Sequence, residues 1–247
     1  MSGNIVTKLR KAARIAWKDS KIYYLSPPSL VMGLLFPGMM FLTFWIGRGL
    51  SLSEALPGLA ALSSFFGGSS IGVTTIALER TKQTFDTQFA MPVTPLTLVL
   101  GKTIASFFFG FTIAILPIGI LTLFLQGVSA RLVLLVPSIA FAALAAGGLG
   151  MTLSAGSHHV HDAMTPLNII RIPMMFISGL FLPISSLPSF LQPIAYLLPL
   201  TYSVLSLKYI VLGQGSMQLF LGCIGGLAIY TIVFLFIAAK RLERSVA

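Results

Sequence analysis

The sequence predicts an all-α integral membrane protein with six transmembrane helices, and three observations carry that prediction. Of its 247 residues, 56% are hydrophobic and 9% are charged, against roughly 25% charged in an ordinary soluble domain. Mean hydropathy is +0.94, so the chain has too little polar surface to cover itself in water and needs the bilayer as solvent. Its apolar runs are continuous and about 20 residues long, the length a helix needs to span hydrocarbon, and unlike the short alternating strands of a barrel.

Six runs qualify: 28–47, 56–78, 103–126, 132–156, 165–183 and 216–239, within one transmembrane domain covering 1–247. A polar, basic segment precedes the first run and no small-residue cleavage site follows it, so no removable signal peptide is expected. The net charge is +10. Lys8, Arg10, Lys11, Arg14, Lys18 and Lys21 precede the first span, Arg80, Lys82 and Lys102 flank the second connection, and Lys240, Arg241 and Arg244 follow the last. Six spans put these groups on one side, which the positive-inside rule makes the cytoplasm, with both termini inside and the chain in the cell membrane. That distribution sets nucleic acid aside as a partner. Cys223, the one cysteine, lies in the last run and excludes an intrachain disulfide and a cysteine metal site.

Residues 4–21 read as an amphipathic interface helix. At 100° per residue, Ile5, Val6, Leu9, Ala12, Ala13, Ala16 and Trp17 share one face opposite Arg10, Lys11, Arg14, Lys18 and Lys21, with Lys8 at the boundary. Such a helix lies in the headgroup plane with membrane lipid as its partner. Pro27-Pro28 ends it.

The second span, "LSSFFGGSSIGVTTIALER", is the most polar. Its hydroxyls admit two compatible readings: close packing through small residues, with Gly68 and Gly72 forming a GxxxG pair, or a wall facing a cavity. The segment 184–215 is broken by prolines at 183, 188, 193 and 199. A seventh crossing there would put the C-terminal cations outside, so it reads as outer re-entrant or interfacial helices before the last span.

Several activities lack their chemistry. All six carboxylates fall in loops or flanks, which argues against an ion-coupled carrier built on an intramembrane acid. "LVLGKT" at 98–103 has Leu96 where a P-loop needs glycine. His158, His159, His161 and Asp162 read as a polar turn between spans four and five rather than a metal site. No nucleophile, base and orienting acid share a membrane depth, so no enzyme activity is expected. Arg171, two turns into the fifth span, reads as snorkelling toward headgroups; the alternative is a cation beside Asn168 that meets an anionic substrate or lipid head.

The connection after the second span, "ALERTKQTFDTQFAMPVTPLTLVLGK" at 77–102, is too specific for a tether. Together with "NIIRIPMMFISGLFLPISSLPSFLQPIAYLLPLTYSVLSLKYI" at 168–210 it resembles the membrane subunits of type-2 ABC exporters, and the interface helix and six spans extend the resemblance over nearly the whole chain. The sequence departs from the family at Thr81, Gln83 and Gln88-Phe89, where the family carries Glu, Gly and Leu-Leu. The resemblance implies that 79–95 is a cytoplasmic coupling segment, with a helix from about Thr81 to Met91 docking on a separate ATP-binding subunit. Partner contacts then fall on Glu79, Arg80, Thr84, Phe85, Asp86, Phe89 and Pro92. Phe85 and Phe89, at i and i+4, supply an apolar anchor inside a charged rim, and Pro92 and Pro95 stiffen the exit into the third span.

The resemblance also implies a homodimer, or pairing with a paralogous permease, with the pathway between the halves. Its lining would be Phe66, Ser70 and Thr74 on the second span and Asn168, Met175 and Phe176 on the fifth. This chain holds no cofactor; ATP and Mg belong to the partner. The expected cargo is an amphipathic or hydrophobic small molecule. A lipid-linked glycan is the alternative within transport, and a non-transporting assembly or sensor subunit the alternative outside it.

Overall fold

The computed structural model describes residues 5–49, 52–85, 94–124 and 133–246, and the structural statements below concern these. The helices are α1 (Ile5–Tyr23), α2 (Pro27–Leu30), α3 (Phe36–Arg48), α4 (Leu52–Thr81), α5 (Pro95–Phe124), α6 (Leu135–Ser154), α7 (Val160–Ile177), α8 (Leu191–Tyr196), α9 (Pro199–Leu212) and α10 (Met217–Val246). Among the described residues there is no strand. The chain is an all-α membrane protein.

Four helices are individually long and apolar enough to cross a bilayer: α4, α5, α6 and α10. The first expected span is helical but interrupted, because α2 and α3 are joined by a π-helical turn at Val31–Leu35. There the Phe36 N–H donates to Val31 O, a wider ring than the α-helix makes. The fifth expected span is shifted. Its helix, α7, begins at Val160 and stops at Ile177. The His159 N–H donates to Asp162 Oδ2 at 3.3 Å across the first turn, so the histidine cluster supplies a helix start. Gly179, at φ 79°, turns the chain past the other end.

α4 is the axis of the bundle, packing against α5, α6, α7 and α9. Its glycines make that approach possible. A Cβ on Gly72 would lie 2.5 Å from Gly147 O, and one on Gly68 would lie 2.8 Å from Ala143 O. The close-packing reading of the GxxxG pair therefore holds. The hydroxyls mostly return to their own helix: Ser64 donates to Ala61 O, Ser69 to Phe65 O and Thr74 to Ser70 O, at 2.6–2.9 Å. This satisfies them where neither water nor lipid could.

The segment 184–215 contains the short helices α8 and α9, each shorter than the roughly 20 residues a spanning helix needs. Pro199 opens α9 at its first turn and Gly213, at φ 69°, closes it. Leu200, Val204, Leu207 and Ile210 enter the main apolar core, and Ser206 shares a hydroxyl hydrogen bond with Ser138 of α6.

α1 divides into three sectors rather than two. Ala12, Ala16, Asp19 and Tyr23 are buried, and a Cβ on Gly101 of α5 would meet Ala12 O at 2.8 Å. Leu9 and Trp17 stay 57% and 68% exposed, with the Lys21 ammonium 5.0 Å from the Trp17 ring. The apolar face of the sequence reading is thus split, part of it docked on the bundle and part left open beside the basic face.

Candidate functional site

Two polar sites lie in the apolar bundle. The first is centred on Arg171. From α7 its Nε donates to Asn168 Oδ1 at 2.9 Å, and Nη1 donates to Ser69 Oγ at 3.2 Å and Ser70 Oγ at 3.0 Å on α4. The guanidinium stacks 4.5 Å from the Phe66 ring, a favourable cation–π geometry. Arg171 is 0% exposed, so the snorkelling reading is corrected. The side chain turns inward because α4 offers two hydroxyls and an aromatic face, whereas an outward path would cross apolar surface.

The expected pathway residues gather around it. Phe66, Ser70 and Asn168 touch Arg171, and Thr74 lies one turn along α4, donating to Ser70 O. Met175 shares the core with Phe66. Phe176 points elsewhere: it is 44% exposed, with its ring 5.7 Å from that of Phe181. Phe66, Ser70, Thr74 and Met175 are buried within the single chain.

The second site is an ion cluster where α1, α4 and α5 meet. Lys102 Nζ lies 2.6 Å from Glu79 Oε2 and 3.1 Å from Asp19 Oδ2. Lys18 Nζ lies 2.8 Å from Glu79 Oε1 and 3.1 Å from Asp19 Oδ1. Two cations and two anions alternate around a closed ring, so each charge has two opposite neighbours. Asp19, Glu79 and Lys102 are buried, while Lys18 keeps one edge in contact with the exterior. Partial burial opposes the charge on Lys18, but the Asp19 and Glu79 carboxylates outweigh it and raise its pKa above the ordinary lysine value. Tyr23 beside them is raised by burial and by the same carboxylates.

Sequence reading missed this cluster. A signal was present: Asp19 sits on the α1 face that carries Ala12 and Ala16, and Lys102 lies one residue ahead of an apolar run. Charges placed on apolar faces call for partners.

The coupling segment begins differently from expectation. Thr81 ends α4, a turn at 82–83 follows, and no new helix starts by Phe85. Asp86, Phe89 and Pro92 lie outside the described residues, as does most of the expected helix. Glu79 is not a solvent-facing rim residue, because the ion cluster holds it inside. Nor is Phe85 an open anchor. It is 4% exposed and packs with Ile76, Leu98, Val99 and Leu242, with the Arg80 guanidinium 4.7 Å from its ring. Arg80 also donates to Ser157 O at 3.1 Å and Ser245 Oγ at 2.6 Å, and the Thr84 N–H donates to Glu79 O at 2.9 Å. Pro95 is the first residue of α5, where its missing N–H costs nothing.

Gln83 has φ 56°, a left-handed backbone that only glycine adopts without strain. Gln83→Gly is expected to raise stability by about 1 kcal/mol, read as a higher midpoint of thermal unfolding in maltoside micelles. An unchanged or lowered midpoint would show that the Gln side chain compensates its own strain.

Comparison with known proteins decides the family. A family model described as ABC-2 type transporter matches residues 4–212. The chain belongs to the ABC-2 type transporter family. The part of this ABC-2 chain that the model matches runs from α1 through α9 and so contains both polar sites. Nodulation protein J of Neorhizobium galegae is 28% identical over 252 residues, 93% of this chain and 89% of that protein. Nodulation protein J of Rhizobium leguminosarum bv. viciae is 33% identical over 108 residues, 44% of this chain and 41% of that protein. The protein of the same name from Rhizobium meliloti (strain 1021) is 31% identical with the same coverage. The ABC-2 chain thus matches about two fifths of the length of the last two.

Proposed function

We propose that this ABC-2 chain is the membrane subunit of an ATP-driven exporter, with ATP and Mg on a separate ATP-binding subunit and an amphipathic small molecule as cargo. The observation that carries this reading is the buried ion cluster. It joins α1 to the end of α4 and the start of α5, the two helices between which the segment 82–94 runs. A force applied to that segment by a partner reaches three helices as one body, because separating them would expose unpaired buried charge. The charge asymmetry of the sequence puts this end, and both termini, on the cytoplasmic side of the cell membrane. Two copies, or this chain and a paralogous permease, enclose the pathway, and α1 rests its Leu9 and Trp17 edge on membrane lipid.

The test is a pull-down of the tagged chain from intact cells in mild detergent, with bound ATPase activity as the readout. An ATP-binding subunit is expected to co-purify, and Phe89→Glu is expected to reduce its recovery at least about tenfold, the loss of one buried aromatic anchor. Phe89 is the residue to change, since Phe85 belongs to the chain's own core. Failure to recover any ATPase, even after cross-linking, would overturn the exporter reading. Unaltered recovery with Phe89→Glu would move the docking contact elsewhere on the segment.

A further inference from the structure

We propose that Arg171 receives an anion: that the site between α4 and α7 takes the phosphate or carboxylate head of an amphipathic molecule whose tail lies along its apolar walls. The role of such a ligand as cargo rests on the exporter reading; its binding does not.

Three observations point there. Arg171 is fully buried, yet its hydrogen-bond partners are all neutral: Asn168, Ser69 and Ser70. Among the described residues no carboxylate lies within ion-pair reach. Asp19 and Glu79 are held by lysines, and Asp162 lies beside His161. A buried charge without a counter-ion carries a large desolvation cost, and a neutral residue of similar length would fill the space without it.

The guanidinium is also incompletely used. Nη2 is buried and has no hydrogen-bond partner, although it carries two of the five N–H donors of the fork. Paired N–H donors on a planar cation are the geometry that carboxylate and phosphate oxygens take up.

The surroundings suit an amphiphile. The Phe66 ring covers one face of the guanidinium and stacks on Phe36 at 5.0 Å, and Met40 and Met175 join the same apolar cluster. α7 carries Pro166 and Pro173 on either side of Arg171. Each proline removes a helix hydrogen bond, so α7 is easier to bend or withdraw than a continuous helix. Withdrawal from α4 breaks the Nη1 bonds to Ser69 and Ser70, so that Nη1 joins the unpartnered Nη2 in meeting the ligand. The serines and the anion thus compete for one fork, and the resting state is the serine-bound one.

The test uses the purified full chain in maltoside micelles, with radiolabelled dodecyl phosphate as probe in equilibrium dialysis. Saturable binding is expected, with no binding of dodecyltrimethylammonium. Arg171→Gln is expected to weaken dodecyl phosphate binding by about tenfold or more, the loss of a charge-assisted bidentate contact, and Arg171→Lys by less. Ser69→Ala with Ser70→Ala releases the fork from its resting partners and is expected to tighten binding, which a merely structural arginine would not do. Equal binding by wild type and Arg171→Gln overturns the proposal. So does the absence of saturable binding by both the wild type and the double-alanine variant.

Competition identifies the source of the anion. Displacement by inorganic phosphate supports recognition of the head alone, and displacement by phosphatidylglycerol, but not phosphatidylcholine, supports a bilayer lipid. Loss of anion binding leaves the ATPase pull-down result standing, and a missing ATPase leaves the binding result standing, so the two readings fail separately.

Discussion

Lys102→Met is expected to destabilise the chain by about 3–5 kcal/mol, the cost of breaking a buried ion pair by removing one partner. Lys102 is fully buried and lies between both carboxylates of the cluster. Its loss leaves Asp19 and Glu79 facing each other with Lys18 alone to neutralise them, at a position where water cannot help. Restoring charge balance with Glu79→Gln in the same chain is expected to recover part of the loss. The two substitutions together should then cost less than the sum of each alone. Lys18→Met should cost less than Lys102→Met, since the Lys18 side chain is 42% exposed and solvent screens its charge. Thermal unfolding in maltoside micelles, followed by far-ultraviolet circular dichroism, measures all four. A Lys102→Met variant as stable as the wild type would mean that the ring does not hold α1 to the bundle, and the force path proposed for the exporter would lose its support.

Gly72→Ala should destabilise by about 1–3 kcal/mol through overpacking, with Val worse. The added Cβ would sit 2.5 Å from Gly147 O and 3.2 Å from Met151 N. Both atoms are backbone, so no side chain can swing aside and α4 and α6 must separate. Gly150→Ala loads the same crossing from the other helix, since its Cβ would press on Ser69 O and Val73 N. The double variant should therefore cost less than the sum, because the first substitution already opens the gap. Gly222→Ala on α10 meets nothing within 4 Å and is the matched control, expected to stay within about 0.5 kcal/mol of wild type. If Gly72→Ala behaved like Gly222→Ala, the α4–α6 crossing would have to be looser than the structure shows.

What was legible in the sequence was whatever depends on one helix at a time. The six apolar runs, the break by prolines in 184–215, the amphipathic start and the close-packing glycines all follow from composition and periodicity, because hydrophobic burial and helix geometry act locally along the chain. The start of α7 was misplaced for a local reason too. The polar run His158–Asp162 reads as a turn by composition, yet Asp162 accepts the His159 N–H and starts the helix there. Gln83 is the converse case. It stands where the family resemblance expects glycine, and its left-handed backbone is one that glycine adopts without strain.

The sequence by itself determined the solvent of this protein, its all-helical class and its family, since each is written in residue type and spacing. Only the tertiary structure decided where the charges go. Arg171 lies 101 positions from Ser70, and Lys102 lies 83 from Asp19. Whether a cation in an apolar helix reaches outward or finds a partner depends on which neighbour the fold brings beside it. Electrostatics and cation–π contacts act through space, and a one-dimensional pattern carries no record of that distance.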